Sequence, residues 1–125
     1  MDWKLELVIL PVSDVDRAKS FYVDTVGFIC DHDQRVNENV RFVQLTPPGS
    51  ACSIAFGEGL MSPDTPPGSV KGLQMVVESA ETARQELLSR GLDVGQVDVQ
   101  PWGSFVYLKD PDGNAWAVQE LPNRR

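Results

Sequence analysis

Lys109 to Glu120 reads K-D-P-D-G-N-A-W-A-V-Q-E, and this stretch decides the fold because a tight turn in it separates two apolar runs. Pro111 presets its own φ, Gly113 admits a positive one, and the Asp and Asn side chains bond to nearby backbone. The flanking runs, Phe105 to Leu108 and Asn114 to Leu121, become the two arms of a hairpin. A weaker copy lies upstream at Thr46 to Phe56, T-P-P-G-S-A-C-S-I-A-F. Setting Gly113 on Gly49 pairs Asn114 with Ser50, Trp116 with Cys52 and Ala117 with Ser53, an offset of 64 residues.

Working outward, Lys4 to Val12 is short and rich in Leu, Val and Ile, which predicts a buried strand ending near Pro11. Successive side chains alternate faces, so Leu5, Leu7 and Ile9 share one face and Val8, Leu10 and Val12 the other. Both faces are apolar and both need cover. Ser13 or Asp14 caps a helix whose Val15, Ala18, Phe21, Tyr22 and Val26 recur at helical spacing until Gly27 stops it. Phe21 and Tyr22 fall on or beside that stripe and are expected in the core. Phe28 to Asp31 is expected as a short strand, Gln34 to Asn39 as a polar turn, and Val40 to Leu45 and Ala51 to Phe56 as further strands.

From Gly57 to Lys71 the composition turns to Gly, Pro, Ser and Asp. This is a linker, read either as a loop rimming a pocket or as a plain crossing. Gly72 to Val77 is again a strand, and Ser79 caps a second helix carrying Ala80, Ala83, Leu87 and Leu88, stopped by Gly91. Pairing Val12-Ser13-Asp14 with Val77-Glu78-Ser79 gives an offset of 65, close to the 64 of the turns. Asp93 to Val99, Phe105 to Leu108 and Asn114 to Leu121 supply the last strands. Each half is strand, helix and three strands. The expected organisation is one domain over 1–125, with a first module over about 1–57, a linker over about 58–71 and a second module over about 72–125.

A chain of 125 residues is long enough to bury a core without staples. Cys30 and Cys52 are too few and too isolated for a disulfide framework and are expected as reduced thiols. The start, M-D-W-K-L-E-L-V-I-L-P, fits neither a signal peptide nor a membrane span, so a soluble cytoplasmic protein is expected, with no membrane partner. Eighteen acids against eleven bases give a net charge of −7, which repels nucleic-acid phosphates. The same charge serves solubility and attracts cationic ligands.

The two-module pattern, with V-S-D-V-D-R-A-K-S-F-Y near the start and F-V-Y-L-K-D-P-D-G-N-A-W near the end, resembles the vicinal oxygen chelate superfamily. Glyoxalase I, the extradiol dioxygenases, fosfomycin-modifying enzymes and the bleomycin resistance proteins belong to it. The resemblance covers essentially the whole chain and implies an α+β fold: two tandem βαβββ modules forming a curled, mixed, eight-stranded sheet, a cup with helices on its outer face. It also implies a homodimer whose cups the partner chain completes. By alternation Leu5, Leu7 and Ile9, then Gln74 and Val76, Phe105 and Tyr107, and Ala115, Ala117 and Gln119 would line the cup. Val8, Leu10, Met75, Val77, Val106, Leu108, Trp116 and Val118 would meet the helices.

Metal-dependent members of that superfamily take one ligand from the first strand and one from the last strand of each half, usually His and Glu. Counting seven back from Asp14 and Ser79 lands on Leu7 and Gly72, and counting four on from the turn glycines lands on Ser53 and Ala117. Three of these offer no donor and Ser53 only a weak one, where a catalytic ion wants about three protein ligands. No metal and no cofactor are therefore expected. His32, the single histidine, is read as a solvated residue, and Cys52 as a core thiol. Trp102, bracketed by Pro101 and Gly103, is expected at a rim, and its W-G looks like the loop that bleomycin resistance proteins place over their drug. Trp3 is free to serve a dimer contact, and Trp116 belongs by parity to the core.

The expected ligand-binding residues are Leu7, Ile9, Ser53, Gln74, Trp102, Phe105, Tyr107, Ala117 and Gln119. The function they imply is metal-independent sequestration of a planar or cationic natural product or antibiotic. The alternative is a glyoxalase- or dioxygenase-like lyase, or another enzyme with a rewired site, using Glu120, Tyr107 or Asp110 as acid or base. A subunit or scaffold without a small-molecule role is the third possibility.

Overall fold

A computed structural model describes residues 1–122. The order is β1 (Leu7–Ile9), α1 (Val15–Ser20) continued as a π-helix (Phe21–Val26), β2 (Ile29–Asn37), β3 (Val40–Thr46) and β4 (Ser53–Glu58). The second half repeats it with β5 (Leu73–Val77), α2 (Ala80–Ser89), β6 (Asp98–Gln100), β7 (Gly103–Lys109) and β8 (Ala115–Glu120). The chain is thus α+β with two βαβββ halves. Its eight strands divide into two mixed sheets of four, ordered β1-β4-β3-β2 and β5-β8-β7-β6. In each, the first strand runs parallel to the last and the remaining pairs are antiparallel.

Both helices begin where their caps dictate. Asp14 accepts from the backbone N–H of Arg17 at 3.0 Å, and Ser79 accepts from that of Thr82 at 3.1 Å. The first helix widens after Ser20, and the N–H groups of Gly27 and Phe28 both return to the carbonyl of Tyr22. Among the described residues no helix is long and apolar enough to cross a membrane.

Several strand limits differ from expectation. β1 is only Leu7–Ile9, and Leu5 stays exposed. β2 runs on through His32 and Gln34 to Asn37, where the sequence predicts a polar turn. It is an edge strand without a buried residue, so no hydrophobic alternation betrays it. What holds it is pairing with β3 and the carboxylate of Asp33, gripped by Lys19 at 2.8 Å and by Arg41 at 3.0 Å. Those two cations hold the Asp33 carboxyl far below the usual carboxylate range, the Arg41 hydrogen bonds foremost. β6 is likewise shorter than Asp93 to Val99, beginning at Asp98.

One core spans both halves. Leu10, Val43, Leu45, Ile54 and Phe56 from the first sheet join Val106, Leu108, Trp116 and Val118 from the second, with Val8, Met75 and Val77 packed against them. Tyr22 sits at the centre, fully buried between Phe28, Phe56 and Trp116. Its hydroxyl donates to Asp110 at 2.8 Å and accepts from the indole N–H of Trp116 at 2.9 Å. Burial and the charge of Asp110 push the phenol well above its ordinary pKa. The turn that decides the fold is therefore also the polar anchor between the halves.

Residues 59–72 carry no helix or strand, and they are tied to that same turn. Gly68 N–H donates to the Pro11 carbonyl, Val70 N–H to the Asn114 side chain, and Lys71 Nζ to the Gly113 carbonyl at 2.6 Å. Ala115 N–H closes the set on the Val70 carbonyl.

Candidate functional site

The faces of the two sheets turned away from the core carry the residues expected to line the cup. On the first sheet, Leu7 stands opposite Ser53 and Ile9 opposite Ala55. Ser53 is buried and its hydroxyl is already engaged, lying 2.7 Å from Thr46 Oγ1 and accepting from Gln44 Nε2 at 3.3 Å. Thr46 in turn donates to Asp31. This is a closed set of polar side chains beside the apolar Leu7 and Ile9.

The second sheet gathers six of the expected residues. Gln74 and Tyr107 both stand opposite Ala117, and Val76 and Phe105 both stand opposite Gln119. The Phe105 and Tyr107 rings lie parallel, at 3° and with centroids 6.0 Å apart. Gln74 donates its side-chain N–H to Gln119, whose own amide donates to the Trp102 carbonyl at 3.0 Å. An amide pair, Gln74 exposed and Gln119 buried, thus fixes the turn that carries Trp102, and the indole itself is 61% exposed. Gly103 follows at a close approach: a Cβ there would meet Gln119 Nε2 at 2.5 Å. No strand ladder joins this group to Leu7, Ile9 and Ser53 on the other sheet.

One residue of this face escapes the sequence reading. Asp98 stands opposite Phe105 and accepts from the Tyr107 hydroxyl at 2.7 Å and from Gln100 Nε2 at 2.8 Å. The hydrogen bond to Asp98 raises the Tyr107 pKa. The signal was present in V-D-V-Q, where polar residues alternate with valines, but on this edge strand the polar face is the cup side and Val99 is the exposed one. A cleft of about 590 Å³, lined by Phe28, Met75, Val77, Leu87, Leu108 and Val118 among others, opens between the halves and reaches Gln74 and Val76 of the edge strand β5.

A metal chelate does not fit the family's four positions. Leu7 and Ala117 have no donor atom, the Ser53 hydroxyl is engaged as described, and Gly72 lies before β5 without a side chain. The strand opposite Ala117 presents Gln74 instead, its amide bound to Gln119. His32 is exposed opposite Gln44, and among the described residues no three His, Cys, Asp or Glu side chains converge.

Of the three candidate acids and bases, two are committed elsewhere. Glu120 accepts from the Ala80 N–H at 2.9 Å and so caps α2, while Asp110 is enclosed in its turn with five donors. Cys52, expected in the core, is half-buried just ahead of β4, with Sγ turned to the Ser53 carbonyl at 3.7 Å. It lies where the chain is leaving the turn, before the sheet closes over it.

The chain matches the family model of the Glyoxalase/Bleomycin resistance protein/Dioxygenase superfamily over residues 4–118. Among solved structures it is similar to TnmS3, an antibiotic binding protein from Streptomyces sp. CB03234, with 33% identity, 97% of this chain and 98% of that one covered, and a TM-score of 0.87. A glyoxalase/bleomycin resistance protein from the same organism is 34% identical, with 93% and 99% covered and a TM-score of 0.81. The YetH protein of Bacillus subtilis (strain 168) is 25% identical over 118 residues, 90% of this chain and 94% of that one.

Proposed function

The chain belongs to the glyoxalase/bleomycin resistance protein/dioxygenase superfamily, and from that premise we propose that it is a metal-independent binding protein that sequesters a planar or cationic natural product or antibiotic. The observation that carries the reading is the second sheet's open face. Parallel Phe105 and Tyr107 rings lie beside the Gln74–Gln119 amide pair, and that pair holds the turn presenting Trp102. An exposed indole on an amide-fixed turn, on the same sheet as the exposed Tyr107 ring, is suited to covering a flat ligand, and an aromatic face also attracts a cation. TnmS3, to which the whole chain is similar, is an antibiotic binding protein.

A saturable quench of tryptophan fluorescence by a polycyclic antibiotic is the expected result. Trp102→Ala is expected to weaken that binding about tenfold, since a stacking contribution of ~1.4 kcal/mol corresponds to that factor. An affinity unchanged in Trp102→Ala removes the indole from the site.

The reading includes a homodimer in the cytoplasm. β1 and β5 are sheet edges, and Trp3, Leu5 and Val76 are large apolar residues left exposed. Unpaired edges and exposed apolar side chains are what a second copy covers. Sedimentation equilibrium is expected to return twice the chain mass at micromolar concentration; a monomer mass there contradicts the pairing. Cys30 and Cys52, both free thiols, accord with a reducing compartment.

A further inference from the structure

The open face of the second sheet holds one carboxylate, and nothing in the proposed stacking requires it. Asp98 lies on the edge strand β6, directly opposite Phe105 and bonded to the Tyr107 hydroxyl. Its two oxygens each accept one neutral donor, Oδ1 from Gln100 and Oδ2 from Tyr107. Among the described residues no Lys, Arg or His lies within ion-pair distance of it. A carboxylate oxygen has lone pairs for two donors, so each retains an acceptor position.

The contrast with Asp33 is instructive. Asp33 performs a structural task and is gripped by Lys19 and Arg41. Among the described residues Asp98 is held in place by neutral donors alone, which orient the carboxylate without an ion-pair partner. The exposed Tyr107 ring lies alongside, parallel to the buried Phe105, and its face favours positive charge as well.

We infer that Asp98 selects the charge of the ligand: the cup takes a planar molecule bearing a protonated amine, with the amine on Asp98 and the ring system against the exposed Tyr107, which the buried Phe105 backs. The inference rests on the binding reading above and narrows its planar or cationic ligand to one that is both. The Tyr107 hydroxyl acts as a positioning group, holding Oδ2 so that the carboxylate is oriented before the ligand arrives. A charge-assisted hydrogen bond formed under a stacked ring is shielded from water and is worth more than an exposed ion pair.

The experiment uses two three-ring dyes of similar shape, proflavine as the cation and acridone as its neutral counterpart, titrated into the full chain. Wild-type protein is expected to prefer proflavine. Asp98→Asn keeps an acceptor for Tyr107 and removes the charge; it is expected to weaken proflavine about tenfold and leave acridone unchanged. Asp64→Asn, an exposed linker position, changes the net charge equally and is expected to behave as wild type. Proflavine affinity is also expected to fall with salt in wild type and far less in Asp98→Asn, a comparison the dissociation constants give directly. Equal losses in Asp98→Asn and Asp64→Asn mean that only the general field acts, and they overturn the inference. So does binding of acridone as tight as that of proflavine, which leaves the binding reading standing. Failure of both dyes to bind wild-type protein overturns that reading and the inference with it.

Discussion

Asp110→Ala is expected to lower the thermal midpoint by on the order of 10 °C, corresponding to about 3–5 kcal/mol. The carboxylate is 4% exposed and accepts five hydrogen bonds. Oδ1 gathers the backbone N–H groups of Asp112, Gly113 and Asn114, and Oδ2 takes the Tyr22 hydroxyl and the Asn114 amide. Alanine leaves these donors in a space where water does not reach them all, and an unpaired buried donor costs about 1–3 kcal/mol. Tyr22→Phe is the milder companion. It removes one donor to Asp110 and the acceptor of the Trp116 indole, for about 1–3 kcal/mol. Thermal unfolding followed by circular dichroism measures both. An Asp110→Ala midpoint within a degree or two of wild type contradicts the anchor.

The second large effect is expected at Gly68, in the segment between the halves. Its φ is +79°, and a Cβ there would lie 2.0 Å from the Asp112 backbone carbonyl oxygen. Since both groups are backbone, neither yields without moving the linker off the turn. Gly68→Ala is therefore expected to cost about 2–4 kcal/mol, combining left-handed strain with loss of the linker's hydrogen bonds. Gly49 supplies the control: its φ is +82°, but a Cβ there meets nothing within 4 Å. Gly49→Ala is expected to cost about 1 kcal/mol, the strain alone. Urea unfolding of the two variants compares them, and equal destabilisation shows that the linker does not depend on its contact with the turn.

These expectations bear on function because the anchor and the open face are the two sides of one strand. Trp116 and Val118 of β8 face the core, while Ala117 and Gln119 face outward.

Parity made much of this legible in advance. Leu10, Val106, Leu108, Trp116 and Val118 were expected toward the helices and are buried. Gln74, Phe105, Tyr107, Ala117 and Gln119 share the opposite face because strands alternate whatever packs on them. β2 is illegible for the converse reason: it has no buried face, and its extended conformation comes from its partner strand and from cations on the elements before and after it, Lys19 and Arg41. Asp98 is not legible in advance because its meaning depends on Tyr107, nine residues later.

From the amino-acid sequence alone follow the duplicated βαβββ order, the turn at Asp110 to Asn114, and the lack of donor atoms at Leu7 and Ala117. All of these are local: a spacing, a turn chemistry and a side-chain identity. The tertiary structure alone decides that Tyr22 meets Asp110 across 88 residues, that the linker docks on the turn, and that the Asp98 carboxylate meets the Tyr107 hydroxyl. Such pairings depend on where distant elements pack, and a short-range pattern carries no record of that.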